Sequence, residues 1–161
     1  MPSGTTPSAA ITTVGLTRRF DALIAVDHID LTVEAGTIFG LLGPNGAGKS
    51  TTIKMLTTLL PPSSGTARIA GWDVAREPGQ VRRAIGYVPQ LVSADGGLTG
   101  IENLSLSAAL YDIPARRCGA RIKEVLEFMG LSGAAHALAR TYSGGMVRRL
   151  EIAQALLHSP A

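Results

Sequence analysis

The segment with the clearest chemical potential is the glycine-rich run GPNGAGKS at residues 43–50. A triphosphate is a dense anion, so a site for it needs several donors in a small concave space that side chains do not fill. Gly43, Gly46 and Gly48 can take backbone angles that turn consecutive N–H groups inward. A helix that follows would add the positive end of its dipole. The run therefore predicts a site for the phosphates of a nucleoside triphosphate.

The polar residues at the end of this run complete the predicted site. Lys49 would reach the β- and γ-phosphates, the Ser50 hydroxyl would ligate Mg²⁺, and Thr51 would add polar contacts near the α- and β-phosphates. The spacing GxxxxGK[ST] is that of the P-loop, a motif that needs a buried strand before it and a helix after it. The predicted nucleotide-binding residues are Gly43, Pro44, Asn45, Gly46, Ala47, Gly48, Lys49, Ser50 and Thr51.

Hydrophobic patterns on either side of the P-loop predict both of these elements. Residues 37–42, TIFGLL, form a continuous apolar run that is typical of a strand buried on both faces. Residues 50–60 predict a helix with Ile53, Leu56 and Leu60 on one face. The predicted order is therefore strand, loop, helix.

Patterns elsewhere divide the chain into a β-rich first part and a helical second part. Short, partly alternating runs of β-branched residues over 11–39 predict an antiparallel sheet, and further short strands are predicted at 66–70 and 84–88. Three helices are then predicted, at 99–111 behind a capping-box spacing, at 115–129, and from 143 or 144 to about 158.

Composition limits the classes of protein. A chain of 161 residues, 45% hydrophobic and 17% charged, suits one compact domain. A net charge of +3 without a basic tract does not indicate nucleic-acid binding. Cys118 is the only cysteine, so no internal disulfide can form. Residues 1–10 lack the features of a signal peptide and predict a flexible tail, and no apolar run approaches the ~18 residues of a membrane helix. We therefore expect a cytoplasmic protein without direct membrane insertion.

Three segments taken together resemble the ATP-binding cassette (ABC) ATPase family: the P-loop, GYVPQ at residues 86–90, and YSGGM at residues 142–146. The resemblance covers nearly all of residues 11–161. It implies an α/β P-loop NTPase fold with an N-terminal antiparallel β region, a parallel-sheet core whose C-terminal strands are missing, and a helical subdomain. The implied divisions of the ATP-binding domain are residues 11–94, 95–142 and 143–161.

The resemblance implies that ATP and Mg²⁺ are the ligands, and it implies roles outside the P-loop. Phe20 would stack on adenine, with ordinary packing in an edge strand as the alternative. Gln90 would act in catalysis by contacting Mg²⁺ or the attacking water, and would couple the nucleotide site to a membrane subunit. Ser143, Gly144 and Gly145 would close on the γ-phosphate held by the P-loop of a second ATP-binding subunit in a head-to-tail dimer.

The signature segment also indicates a branch of the family. Tyr142 and Met146 depart from the commonest signature, LSGGQ, and YSGGM followed by VRRL resembles drug-resistance exporters of the daunorubicin type. This implies an ATPase subunit held at the cytoplasmic face of the membrane by a separate permease. Two alternatives stay open: a soluble non-transport ABC ATPase, and a nucleotide-binding module without activity. We expect Arg148 and Arg149 to form a solvated helix face without a catalytic role.

ABC ATPases continue from the signature helix into an apolar strand that ends in Asp and Glu, and this sequence stops before such a strand. In the family the Asp supports Mg²⁺ and the Glu polarises the attacking water. We therefore expect the 161-residue chain by itself to bind ATP without hydrolysing it.

Overall fold

The computed structural model describes residues 9–161, so the first eight residues of the predicted tail lie outside it. The described residues form two compact units, one ending at Ala84 and the other running from Ile85 to Ala161. The predicted subdivision at residues 94 and 142 stays a prediction.

The first unit is a four-stranded antiparallel sheet with two helices. The strand order is β2-β1-β3-β4, so β1 lies inside the sheet between β2 and β3. The elements are β1 (Ala9–Phe20), β2 (Leu23–Glu34), α1 (Lys49–Leu56), β3 (Ser64–Ile69), β4 (Trp72–Asp73) and α2 (Pro78–Ala84). This confirms the antiparallel region predicted for the N-terminal part.

The tail prediction is wrong at its last two residues. Ala9 pairs with Glu34 of β2, and the carbonyl of Ala10 accepts a hydrogen bond of 2.9 Å from the amide of Ala70. Backbone pairing on both sides of β1 holds these small residues in the sheet although their side chains bury little surface.

Two strands predicted for a parallel core are not formed among the described residues. Residues 37–42 belong to no strand there, with Ile38 fully exposed and Leu42 91% exposed. Ala84 ends α2, and residues 85–89 that follow are outside any strand of the described chain. A strand requires a neighbouring strand for its backbone hydrogen bonds, and no strand among residues 9–161 pairs with either segment. Apolar composition alone cannot supply that neighbour.

Helix α1 is shorter than predicted and buries a different face. It ends at Leu56 rather than at residue 60, because Thr58 is left-handed with a φ of 62° and the amides of Leu59 and Leu60 turn back to the carbonyl of Lys54. Ile53, predicted on the apolar face, is 40% exposed. The buried residues of the helix are Thr52, Met55 and Leu56.

The second unit is helical, as predicted. Its helices are α3 (Gly100–Leu110), α4 (Ala115–Phe128) and α5 (Gly144–Leu156), with short 3-10 turns at Ser132–Ala134 and Ala139–Thr141. The capping box is confirmed, because the Thr99 amide donates to the Glu102 carboxylate at 2.7 Å and the Glu102 amide donates to the Thr99 hydroxyl at 3.2 Å. The centre of the core contains Leu104, Ala108, Ile122, Val125, Leu126, Leu131, Tyr142, Leu150, Ala153 and Leu157. None of the helices in the described part of the chain is long and apolar enough to cross a bilayer.

Candidate nucleotide-binding site

Gly48 joins the P-loop to α1, and its position is fixed by β2. It is the N-cap of α1 in a left-handed conformation, with φ of 81°. A Cβ at this position would overlap the carbonyl oxygen of Ala25 and lie 3.1 Å from a methyl of Val26. A side chain would therefore be strained here and would also push the loop away from the sheet.

The rest of the P-loop is an open turn on the surface of the first unit. Gly43 and Gly46 also have positive φ angles, 155° and 85°, and the amide of Ala47 donates to the carbonyl of Pro44 at 3.3 Å. Residues 43–47 are exposed. A Cβ built on Gly46 would meet no described atom within 4 Å, so the turn is free to receive a ligand.

The N-terminus of α1 suits an anion. Within the described residues no side chain caps it, and its first turn contains no acidic residue. The first amides of a helix lack partners in the helix itself and carry the positive end of its dipole. Ser50 and Thr51 lie in this first turn, and Ser50 is exposed. These are the donors and hydroxyls that a Mg²⁺-bound phosphate chain requires.

Lys49 places its ammonium group over the loop. The Nζ atom donates to the carbonyls of Gly43 and Pro44 at 2.6 and 2.7 Å. The group that would contact the phosphates is thus held within the concave turn. The described residues contain no group of three or more His, Cys, Asp or Glu side chains that could hold a metal. The predicted contacts of Ser50 and Gln90 with Mg²⁺ stay predictions.

Phe20 lies at the end of β1, opposite Leu23 in the ladder with β2. Phe20 is 41% exposed, and the last pair between β1 and β3, Thr17 with Ser64, comes before it, so at Phe20 the strand pairs only with β2. Ordinary packing in an edge strand therefore stays the alternative. The guanidinium of Arg18 lies 4.6 Å from the ring centroid and donates to the carbonyl of Pro61 at 2.8 Å. The stacking role of Phe20 stays a prediction.

The signature turn, residues 143–145, begins α5 in the second unit. Ser143 is the N-cap, and its hydroxyl accepts a hydrogen bond from the amide of Met146 at 3.3 Å. All three residues of the turn are exposed. Gly144 and Gly145 have ordinary helical angles, and a Cβ on either would meet no described atom within 4 Å. The packing of the described chain thus does not require glycine at these positions.

Tyr142 and Met146, the two residues that differ from LSGGQ, flank the signature turn and pack against the core of the second unit. Tyr142 is 8% exposed, its hydroxyl donates to the carbonyl of Ala134 at 2.7 Å, and burial raises its pKa. A Cβ on Gly100 would overlap that hydroxyl, so the glycine leaves room for the larger ring. Met146 packs against the same core. Both residues thus pack against the core, while Ser143, Gly144 and Gly145 stay exposed.

Gln90 is exposed and follows directly on Pro89 in the second unit. Its predicted role is not tested by its position. Arg148 and Arg149 are exposed on α5, as expected, and each also contacts the backbone of another segment. Arg148 donates to the carbonyl of Pro89 at 2.8 Å, and Arg149 donates to the carbonyl of Met129 at 3.0 Å. The i, i+3 spacing of Arg148 and Glu151 predicts their ion pair on one helix face, but no local spacing predicts the contact of Arg148 with Pro89, 59 positions away.

Comparison with known proteins gives consistent results. The profile of the ABC transporter family matches residues 26–161. The daunorubicin/doxorubicin resistance ATP-binding protein DrrA of Streptomyces peucetius is 49% identical over 156 residues, which are 97% of this chain and 47% of that protein. Nod factor export ATP-binding protein I of Cupriavidus metallidurans is 42% identical over 137 residues, 85% of this chain and 45% of that protein. The chain thus spans about half the length of these curated relatives.

The fold comparison agrees. A solved structure of the ATP-binding subunit of an ABC transporter superposes with a TM-score of 0.80 at 29% identity, covering 94% of this chain and 63% of that one. The cbiO1 structure from Clostridium perfringens, at 24% identity and a TM-score of 0.79 over 94% of this chain and 62% of that one, shows the same fold. The predicted fold class is confirmed.

Proposed function

The chain belongs to the ABC transporter family, and we propose that it is an ATP-binding subunit that takes up Mg²⁺-ATP through its P-loop. The observation that carries this proposal is the combination at α1: an obligatory left-handed Gly48, an uncapped helix N-terminus in the described chain, and the Lys49 ammonium held over an exposed turn.

The residues of the P-loop suit Mg²⁺-ATP. When bound, ATP would supply the phosphoanhydride bond that is cleaved. Lys49 would exchange its two hydrogen bonds to loop carbonyls for hydrogen bonds to phosphate oxygens. Because the ammonium group is already bonded to the loop, ATP binding would not require the full cost of removing it from water. The Ser50 hydroxyl would ligate the metal, and the first amides of α1 would bind phosphate. Phe20 would offer its ring to adenine, with Arg18 packed against that ring.

The signature turn would act on a nucleotide held by a second ATP-binding subunit. Glycine is a poorer helix former than alanine by up to about 1 kcal/mol, and no described contact of Gly144 or Gly145 requires it in the first turn of α5. Close approach of another molecule to the backbone explains them, as does the exposed positive end of the α5 dipole. The proposed partner surface is the P-loop of the second subunit.

The complete protein would use ATP hydrolysis to drive export through a separate membrane permease, at the cytoplasmic face of the membrane. The names of relatives support export: one is named a daunorubicin/doxorubicin resistance ATP-binding protein, and another a Nod factor export ATP-binding protein. Gln90 would couple the nucleotide to the permease, a role that rests on the family resemblance. A soluble, non-transport ABC ATPase is the alternative, and copurification of a permease with the tagged complete protein would distinguish the two.

The binding proposal is tested by calorimetric titration of the chain with Mg²⁺-ATP. Lys49→Ala removes the ammonium and should weaken binding by at least about 100-fold, since charged contacts to phosphate are worth several kcal/mol in total. Lys54→Ala, an exposed lysine at the other end of the same helix, is the matched control and should bind as the unmodified chain does. Equal affinity of the two variants would contradict the proposal.

A further inference from the structure

Glu151 is a buried carboxylate in the second unit that the proposed nucleotide chemistry does not use. Its side chain is 2% exposed and lies on α5, between two core residues, Leu150 and Ala153. Both of its oxygens have partners outside the hydrophobic core. Oε1 accepts from the amide of Ser93 at 2.5 Å and from the Ser93 hydroxyl at 3.0 Å, and Oε2 accepts from Arg148 at 3.2 Å.

Arg148 completes a link between α5 and the segment that carries Gln90. The same nitrogen that contacts Glu151 donates to the carbonyl of Pro89 at 2.8 Å. The glutamine segment, residues 89–93, is thus bound at its first residue by Arg148 and at its last by Glu151. These two side chains lie one helical turn apart on α5.

Nothing else in the described contacts explains how the middle of the glutamine segment is held. Leu91 and Val92 are 82% and 70% exposed, and Gln90 is exposed as well. Upstream, the chain already runs along α5: a Cβ on Gly86 would lie 2.6 Å from the carbonyl oxygen of Ala155, and His158 contacts the carbonyl of Ile85 at 3.0 Å. The segment therefore follows α5 from its C-terminal end toward its N-terminal half.

The charge state of Glu151 fits this role. Burial opposes its ionisation, but the hydrogen bonds from Ser93 and the contact with Arg148 outweigh burial, so the pKa of Glu151 is below its ordinary value. An apolar residue would fill the same space without a desolvation cost. The carboxylate is therefore explained by its loop contacts rather than by packing.

We propose that Arg148 and Glu151 are positioning residues that fix the glutamine segment to α5, so that Gln90 and the signature turn on the same helix move as one body. The link to catalysis rests on the proposed function, which gives Gln90 and the signature turn their roles. A displacement of the signature turn by a second subunit would then be passed to Gln90 through two side chains.

The test is nuclear magnetic resonance on the ¹⁵N-labelled chain. Glu151→Leu removes both acceptors and should raise the hydrogen-exchange rate of the Ser93 amide at least about tenfold. It should also lower the backbone order parameter of Gln90 below about 0.6, from the ~0.85 of rigid backbone. Arg148→Ala changes a half-exposed side chain and should mobilise Gln90 too, and Arg148→Lys should restore the order of Gln90.

Arg149→Ala is the matched control, because Arg149 lies next to Arg148 on α5 but contacts Met129 instead of the glutamine segment. It should leave both readouts unchanged. A rigid Gln90 in Arg148→Ala and Glu151→Leu would overturn the proposal, as would equal mobility in Arg149→Ala. If Glu151→Leu does not fold, Arg148→Ala and its lysine rescue decide the outcome alone.

Mg²⁺-ATP binding is measured on the same samples. Absence of binding in the unmodified chain would contradict the proposed function and leave the positioning role of Arg148 and Glu151 intact. If all variants bind Mg²⁺-ATP and the order parameter of Gln90 is unchanged in each, the positioning role is contradicted and the proposed function stands.

Discussion

The N-termini of α1 and α5 are both proposed to meet phosphate, yet they are built in opposite ways. α1 begins at a left-handed glycine and is uncapped by any described side chain, whereas α5 begins at Ser143, which caps its own helix. A side chain at Gly48 would overlap the carbonyl oxygen of Ala25, whereas a Cβ on Gly144 or Gly145 would meet no described atom within 4 Å.

The difference separates requirements that arise within the chain from requirements imposed from outside. At the P-loop, glycine is needed for the chain to fold around its own sheet. At the signature turn, nothing in the described chain requires glycine, and we propose that the close approach of a second subunit does. We therefore expect substitutions at the first site to weaken folding and nucleotide binding together, and substitutions at the second to weaken association without weakening folding or nucleotide binding.

The largest effect is expected for Gly48→Ala. A left-handed alanine costs about 1–2 kcal/mol, and overlap with the Ala25 carbonyl adds to this. We expect a loss of unfolding free energy of about 3 kcal/mol and no measurable ATP binding, because the loop must leave β2. Chemical denaturation and calorimetry measure the two effects.

Gly46→Ala is the control for that substitution. Gly46 has a similar φ of 85° but open surroundings in the described chain, so only the backbone cost of about 1–2 kcal/mol applies. Equal destabilisation by the two variants would show that the contact between Gly48 and β2 does not set the loop.

An intermediate effect is expected for Tyr142→Phe, which tests the support beneath the signature turn. The substitution removes the bond to the Ala134 carbonyl and leaves that oxygen without its donor, a loss of about 1–2 kcal/mol in the free energy of unfolding. Tyr87→Phe, at a more exposed ring of the same unit, should change stability by less than about 0.5 kcal/mol. Urea denaturation compares them. A neutral Tyr142→Phe would mean that the hydroxyl does not anchor the turn.

The smallest stability change, and one of opposite sign, is expected for Gly144→Ala. Alanine is the better helix former, so the chain should gain up to about 1 kcal/mol and bind ATP with unchanged affinity. ATP-dependent self-association, measured by sedimentation, should weaken. Gly119→Ala, an equally open glycine within α4, should stabilise the chain without affecting association. If Gly144→Ala also leaves association unchanged, the glycine is not explained by a partner.

Local signals predicted the parts of the molecule that local interactions form. The capping box at Thr99 and Glu102 and the apolar face of α4 lie within a few residues of sequence, and the structure has both. The P-loop is predictable for the same reason, because its turn needs the positive φ angles that its own glycines adopt readily.

The parts that failed depend on distant partners. Residues 37–42 and 85–88 are apolar, but a strand needs a neighbour, and none of the described strands pairs with them. The bond from Ser93 to Glu151 joins residues 58 positions apart, so no sequence window contains both. For the same reason the contact of Arg148 with the Pro89 carbonyl, 59 positions away, has no local sequence signal.

The central claim is that the P-loop holds the nucleotide of its own chain while the signature turn serves another chain. The most direct test follows the backbone amides of the ¹⁵N-labelled chain during titration with Mg²⁺-ATP at dilution that keeps it monomeric. We predict shifts at Gly46, Gly48 and Ser50, none at Gly144 and Gly145, and loss of all shifts in Lys49→Ala. Shifts that centre on the signature turn, or that persist in Lys49→Ala, would contradict the claim.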